Sequence, residues 1–228
     1  MPITYETVMP WGRCFDEYRR MFDLQDLDFE REILGCGDGP AAFNAGMRKR
    51  GRRVTSADPL YRFSRDLIEQ RIAEIYDVVI EQTRSNSQLF RWVEPIDSID
   101  ALGQTRMAAM QEFLDDYERG LAEQRYVDAE LPMLPFADGR FDLVLCSHFL
   151  FMYSDHLDLE FHLQSIGEML RVGKEVRLFP IVDCNAQTSP HLAPVITWFG
   201  RENEVERVTV NYEFQIGGNE MLLIRPRS

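Results

Sequence analysis

Residues 31–51, REILGCGDGPAAFNAGMRKRG, run from a short apolar stretch straight into three glycines at alternate positions, Gly35, Gly37 and Gly39, and then into a segment of helical character. Glycine weakens strand and helix alike, so this spacing suits a backbone that turns sharply or lets something lie against it. A buried strand, a glycine turn and a helix ending at Gly51, with Pro40 in the helix's first turn, form the opening unit of an open α/β sheet. The rest of the chain keeps the alternation. RRVTSAD reads as a second strand stopping at Asp58-Pro59, Arg125 to Val127 as a third, Phe141 to Cys146 as a fully apolar fourth, and EVRLFPIV as a fifth. VTVNYEFQ and EMLLIR close the chain as a hairpin, with Gly217-Gly218-Asn219 as its tight turn.

Between the strands, three sets of apolar residues recur at helical spacing. Phe63, Leu67, Ile68, Ile72, Ile75, Tyr76, Val79 and Ile80 form one face; Met107, Met110, Leu114, Tyr117 and Leu121 a second; Leu159, Leu163, Ile166 and Leu170 a third. The expected class is α/β: a doubly wound, mostly parallel seven-stranded sheet with a C-terminal antiparallel hairpin. To this are added an N-terminal helical segment over 1–30, read as a lid, and a helical insertion at about 81–124.

Charge narrows the partners. The net charge is −13, so a phosphate backbone is repelled, and the basic run Arg48–Arg53 reads as the solvated end of a helix. No nucleic acid or membrane partner is expected, and the chain reads as a cytoplasmic monomer or homodimer. Four scattered cysteines without a CxxC pair suit reduced thiols. The N-terminus has no apolar signal core, and no apolar stretch is long enough to span a bilayer. His148, His156 and His162 lack metal-ligand spacing, so no metal is expected on them.

In a doubly wound sheet, ligands sit beyond the carboxyl ends of the strands, where GCGDG lies. Asp58, nineteen residues after Gly39, ends the second strand, where an acid can grip two ribose hydroxyls. The plainer reading is turn chemistry alone. A dinucleotide fingerprint would need a glycine where Pro40 stands, so NAD and FAD are disfavoured.

The chain resembles the class I (Rossmann-like) SAM-dependent methyltransferase superfamily. The resemblance rests on GCGDG, on Asp58, and on AELPMLPFADGRFDLVLCSHFLF with EMLRVGKEVRLFPI after it. It covers residues 31–228 in architecture and implies S-adenosylmethionine as cofactor, with S-adenosylhomocysteine as product, and transfer of a methyl group to a small-molecule acceptor. Carried over by position, Gly35, Gly37 and Gly39 would line the methionine and ribose end, Asp58 would take the ribose hydroxyls and Leu60 would pack on the adenine. Glu130, or Asp128 if a short insertion is allowed, would meet the adenine amino group, Leu131 would offer its N–H to the ring, and Ser147 would face the methionine. Relatives carry an acid where this chain has Ile33. That departure keeps open the alternative of a SAM- or nucleoside-binding protein without methyl transfer.

No Asn-Pro-Pro-Tyr or Asp-Pro-Pro-Tyr follows the fourth strand; Cys146-Ser147-His148-Phe149 stands there, which argues against amino transfer on nucleobases. His148 is the candidate general base, or else a lining residue, with Tyr153 and then His156 as weaker candidates. Trp11, Arg13 and Tyr18, with Phe22, are the candidate substrate residues that would close over the cofactor, Arg13 reaching a carboxylate. Arg91 and Trp92 would line the opposite side. A methionine-bearing face (Met107, Met110) is a candidate dimer contact.

Overall fold

A computed structural model describes residue 3 and residues 8–227; the first residues of the expected N-terminal segment, 1, 2 and 4–7, lie outside it. Helix α1 (Phe15–Met21) precedes β1 (Ile33–Cys36), α2 (Phe43–Lys49) and β2 (Val54–Ala57). Two long helices follow, α3 (Arg65–Ser85) and α4 (Ile99–Ala122), then β3 (Tyr126–Val127), β4 (Leu143–Ser147), α5 (Leu159–Val172) and β5 (Val176–Phe179). Helix α6 (Leu192–Phe199), β6 (Asn203–Thr209) and β7 (Glu220–Pro226) complete the chain. The strands form one sheet in the order β3-β2-β1-β4-β5-β7-β6. β3 to β5 run parallel, and β7 is antiparallel to both β5 and β6.

Register places the site. Cys36 pairs with Ala57 on one side and Cys146 on the other, so β1, β2 and β4 end at one level. Gly37, Asp58 and Ser147 therefore emerge side by side. The order reverses between β1 and β4, which opens a crevice at these carboxyl ends.

Both faces of the sheet are buried, as apolar parallel strands require. Successive side chains alternate sides. Leu34, Val144 and Cys146 join Ile166 and Met169 of α5 in one cluster. Ile33, Leu143 and Leu145 join Phe15, Tyr18 and Met21 of α1 and Phe43 of α2 in the other. Each such side chain contributes about 1.5–3 kcal/mol on burial. With Tyr18, Met21 and Phe22 at most 1% exposed, α1 is an integral part of this packing.

Four expectations need correction. First, the terminal strands are not joined by a tight turn: β6 begins at Asn203, and residues 210–219 form a long connection. Phe214 draws it away by stacking on Phe90 (ring centroids 4.9 Å) and meeting Trp92 edge-on. Main-chain bonds from Arg91 to Phe214 and from Ile216 to Leu89 hold it there. Second, α4 buries Leu102, Arg106, Ala109, Met110, Phe113, Leu114, Tyr117 and Gly120, while Met107 and Leu121 are exposed. The apolar pattern missed this face because two of its members are an arginine and a glycine; a Cβ at Gly120 would sit 2.2 Å from the Tyr126 ring. Met110 is fully buried, so Met107 and Met110 do not share a surface. Third, Pro40 precedes α2, whose N-cap is Ala42. Fourth, Leu192–Phe199 form a helix, α6, between the fifth strand and the terminal pair, where the sequence reading places no element.

Candidate functional site

The glycines do three different jobs. A Cβ at Gly35 would lie 1.9 Å from Oδ2 of Asp38, so this glycine exists to let the Asp38 carboxylate fold back over the strand end. It does not line the crevice, contrary to expectation. Gly37 and Gly39 have φ of 65° and 52°, in the left-handed region that glycine adopts without a Cβ clash. A Cβ on Gly37 would press on Phe149 at 3.1 Å, whereas one on Gly39 would meet nothing within 4 Å. Gly39 is thus the glycine that leaves room for a ligand.

Two carboxylates frame the turn. Asp38 accepts hydrogen bonds from Tyr18 Oη (2.9 Å) and Ser56 Oγ (2.6 Å), and burial pushes its carboxyl up to about 6. Asp58 accepts from the Gly39 and Leu60 N–H groups, each at 2.8 Å, and burial carries its carboxyl to about 6 against those two bonds. One bond to each oxygen leaves acceptor capacity on both. The N–H of Ala42, at the start of α2, donates to the Arg13 carbonyl (2.9 Å), which takes up a donor that a phosphate would otherwise use.

A cavity of about 740 Å³ opens over these groups. Gly37, Gly39, Asp58, Leu60, Glu130, Leu131 and Ser147 line it, as do His148, Tyr153, Trp11, Arg13 and Tyr18. These twelve are therefore brought to one space, and Gly35 is not among them. Glu130 is on its rim and Asp128 is not, although Arg62 pairs with both, at 3.9 and 3.2 Å. His156 is exposed and lies away from it. Phe22 is core, edge-on to Phe179. Arg91 pairs with Glu213 (2.8 Å) and Trp92 bonds the Ser87 carbonyl, so neither lines the cavity. Tyr18 commits its hydroxyl to Asp38 and its ring to Phe43, stacked at 4.7 Å.

His148 sits directly after β4 with φ of 50°, an uncommon conformation for a non-glycine residue, and its N–H donates to the Phe179 carbonyl at 2.6 Å. Its Nδ1 is 2.8 Å from Ser147 Oγ. Burial, reinforced by the charges of Arg13 and Arg106, lowers its pKa well below 6.5, so the imidazole is neutral at physiological pH. Tyr153 is buried, and its hydroxyl accepts the Met9 N–H at 3.0 Å.

The inner wall holds a group that sequence reasoning missed. Arg106 of α4 is fully buried, and its Nη1 donates to both oxygens of Glu17 in α1, at 2.8 and 2.6 Å. Tyr212, from the 210–219 connection, donates to Glu17 Oε1 at 2.7 Å. Burial alone would raise the Glu17 carboxyl, but Arg106 and Arg13 hold it at about 2. The only hint in the sequence was an arginine interrupting an apolar helical face.

Among known proteins, residues 96–176 match the family described as a methyltransferase domain, a stretch from α4 to the start of β5. Over 215 residues the chain is 32% identical to an uncharacterized protein of Methanocaldococcus jannaschii, covering 94% of each chain. Solved structures similar to it include the magnesium protoporphyrin IX methyltransferase of Synechocystis PCC 6803 with bound SAM (TM-score 0.45, 12% identity, 94% of this chain and 91% of that one). Another is a putative S-adenosyl-L-methionine-dependent methyltransferase of Methanococcus maripaludis (TM-score 0.46, 10% identity, 87% and 78%).

Proposed function

We propose that this chain, which belongs to the class I S-adenosylmethionine-dependent methyltransferases and to the family of the M. jannaschii protein, methylates a small molecule held in its central cavity. The observation that carries this reading is the continuity of that cavity. It runs from Asp58 and Leu60 past Gly39 to Ser147 and His148, and on to Trp11 and Tyr212. Its volume of about 740 Å³ is in the upper part of the range for small-ligand sites, ~300–1,000 Å³. This continuity supports one space that holds cofactor and acceptor together.

The residues present fit S-adenosylmethionine. Gly39 leaves its Cα face open, Asp58 keeps acceptor capacity for ribose hydroxyls, and the Arg13 carbonyl already occupies a donor at the start of α2. Glu130 and Leu131 would meet the adenine. Asp38 offers a carboxylate for the cofactor's ammonium, so the Ile33 departure leaves that end of the site with an acid. Glu32 turns outward to Arg140 at 3.1 Å and takes no part.

S-Adenosylmethionine supplies a methyl group made electrophilic by its sulfonium. The protein's own work is to align the acceptor and take its proton. In the tautomer suited to a base, His148 Nδ1–H donates to Ser147 Oγ and Nε2 accepts the proton of an acceptor hydroxyl or amine. The lowered pKa keeps that nitrogen unprotonated. Tyr153 would position the acceptor rather than ionise, since burial raises its pKa.

The test is release of S-adenosylhomocysteine from S-adenosylmethionine across a panel of small phenols, carboxylic acids and amines. Turnover with a small molecule is expected. Turnover confined to polypeptide or RNA substrates would contradict the proposal.

A further inference from the structure

Two arginines line the inner wall of the cavity, and among the described residues one carboxylate, Glu17, answers them. Both Glu17 oxygens are used: Oε1 by Arg106 and Tyr212, Oε2 by Arg106 and the Cys14 N–H. Arg106 is 0% exposed, yet its Nε and Nη2 have no hydrogen-bond partner among the described residues. These two nitrogens form one edge of the guanidinium, the edge that accepts a carboxylate or phosphate side-on through two parallel bonds. Arg13 stands beside it, its Nη1 on the Trp11 carbonyl at 2.5 Å and its Nε buried without a partner among the described residues.

A buried donor left unpaired costs on the order of 1–3 kcal/mol, more when charged. Among the described residues, two cations against one anion also leave the wall with an uncompensated positive charge, in a chain whose net charge is −13. The proximity of the two guanidinium groups registers as mutual repulsion: after burial, Arg106 is the next cause lowering the Arg13 pKa. Three aromatic residues that line the cavity stand by these groups: Trp11, whose carbonyl takes Arg13, Tyr212 on Glu17, and Phe214, whose ring centroid is 6.0 Å from the Arg106 guanidinium. Such a wall recognises an anionic head on a flat apolar body.

We infer that the acceptor carries an anionic group, a carboxylate or a phosphate, seated on Arg13 with the free edge of Arg106 behind it. This rests on the methyl-transfer reading for the identity of the ligand as acceptor. The cofactor's own carboxylate is the other source of the same chemistry, and the experiment separates the two.

Calorimetry on the full chain loaded with S-adenosylhomocysteine would compare benzoate and phenyl phosphate with the neutral benzamide. At least one anion should bind tenfold or more tightly than benzamide. Arg13→Met, which keeps the main-chain bond to Ala42 and the Glu17–Arg106 pair, should bring that preference below threefold, and Arg13→Lys should retain part of it. Equal binding of benzamide, or no binding of any probe at millimolar concentration, would overturn the inference. A second arm compares S-adenosylhomocysteine with 5′-methylthioadenosine, which lacks the amino-acid carboxylate. If Arg13→Met weakens the first tenfold and spares the second, the arginines serve the cofactor and the inference falls. If S-adenosylhomocysteine does not bind the wild type, the methyl-transfer reading fails instead, and the same benzoate and benzamide titrations on the unloaded chain still decide whether an anion site exists.

Discussion

The floor and the inner wall of the cavity are built on opposite plans. The floor comes from consecutive loops at the carboxyl ends of β1, β2 and β4, brought level by strand register, and its carboxylates Asp38 and Asp58 are held mainly by hydroxyl and main-chain donors. The wall joins Glu17, Arg106 and Tyr212, residues 89 and 195 positions apart in sequence, through a buried ion pair. The floor is a property of the sheet. The wall is a tertiary clamp that ties α1, α4 and the 210–219 connection together through Glu17. The two regions should therefore fail differently when perturbed.

The largest effect is expected at the wall. Glu17→Gln leaves Arg106 buried without its counter-charge, which should cost about 3–5 kcal/mol of unfolding free energy in urea. A loss below 1 kcal/mol would mean the clamp is not structural. Next in size is catalysis: His148→Asn, whose side chain tolerates the left-handed backbone, should lower kcat by at least ~100-fold while changing S-adenosylhomocysteine affinity less than threefold. An unchanged kcat would remove His148 as base.

A smaller effect separates two glycines of the floor. Gly35→Ala drives a methyl group into Asp38 and should cost about 1–3 kcal/mol of stability. Gly39→Ala meets no atom and should cost only about 1–2 kcal/mol of backbone strain, while weakening cofactor binding. Thermal unfolding paired with calorimetry distinguishes them, and the reverse ranking in stability would contradict the assignment.

The mildest test is pH, where floor and wall have opposite signs. Glu17 is held at about 2 against an ordinary 4.5, so its stabilisation is complete above pH 4.5 and lost as pH falls toward 2. Asp38 and Asp58 are raised to about 6 from 3.8, so their contribution favours the fold below pH 3.8 and is lost as pH rises through 6. Cofactor binding should follow the ionised Asp58, weakening below pH 6 toward about tenfold per unit. Asp58→Asn should remove the Asp58 part of that slope; an unaltered slope would place the titration elsewhere.

The floor was legible in the sequence because its parts are local. Strand, glycine turn and the acid after β2 lie within about twenty-five residues, and alternation of elements sets the strand order. Even there, the reason for Gly35 was hidden, because it depends on where the Asp38 side chain folds. The wall was not legible. Arg106 interrupts an apolar face and carries no motif, and the sequence around Tyr212 reads as a strand of a tight hairpin, whereas it lies in the connection between β6 and β7. The contacts of Phe214 with Phe90 and Trp92, and the Tyr212–Glu17 bond, reveal that this segment turns back toward the cavity.

The central claim is that the crevice beyond β1 and β2 binds S-adenosylmethionine through Asp58. Calorimetric titration of S-adenosylhomocysteine into the wild type and into Asp58→Ala tests it directly. Micromolar binding to the wild type, weakened at least tenfold by the substitution, is the predicted result. No binding to the wild type, or equal binding to both, would contradict it.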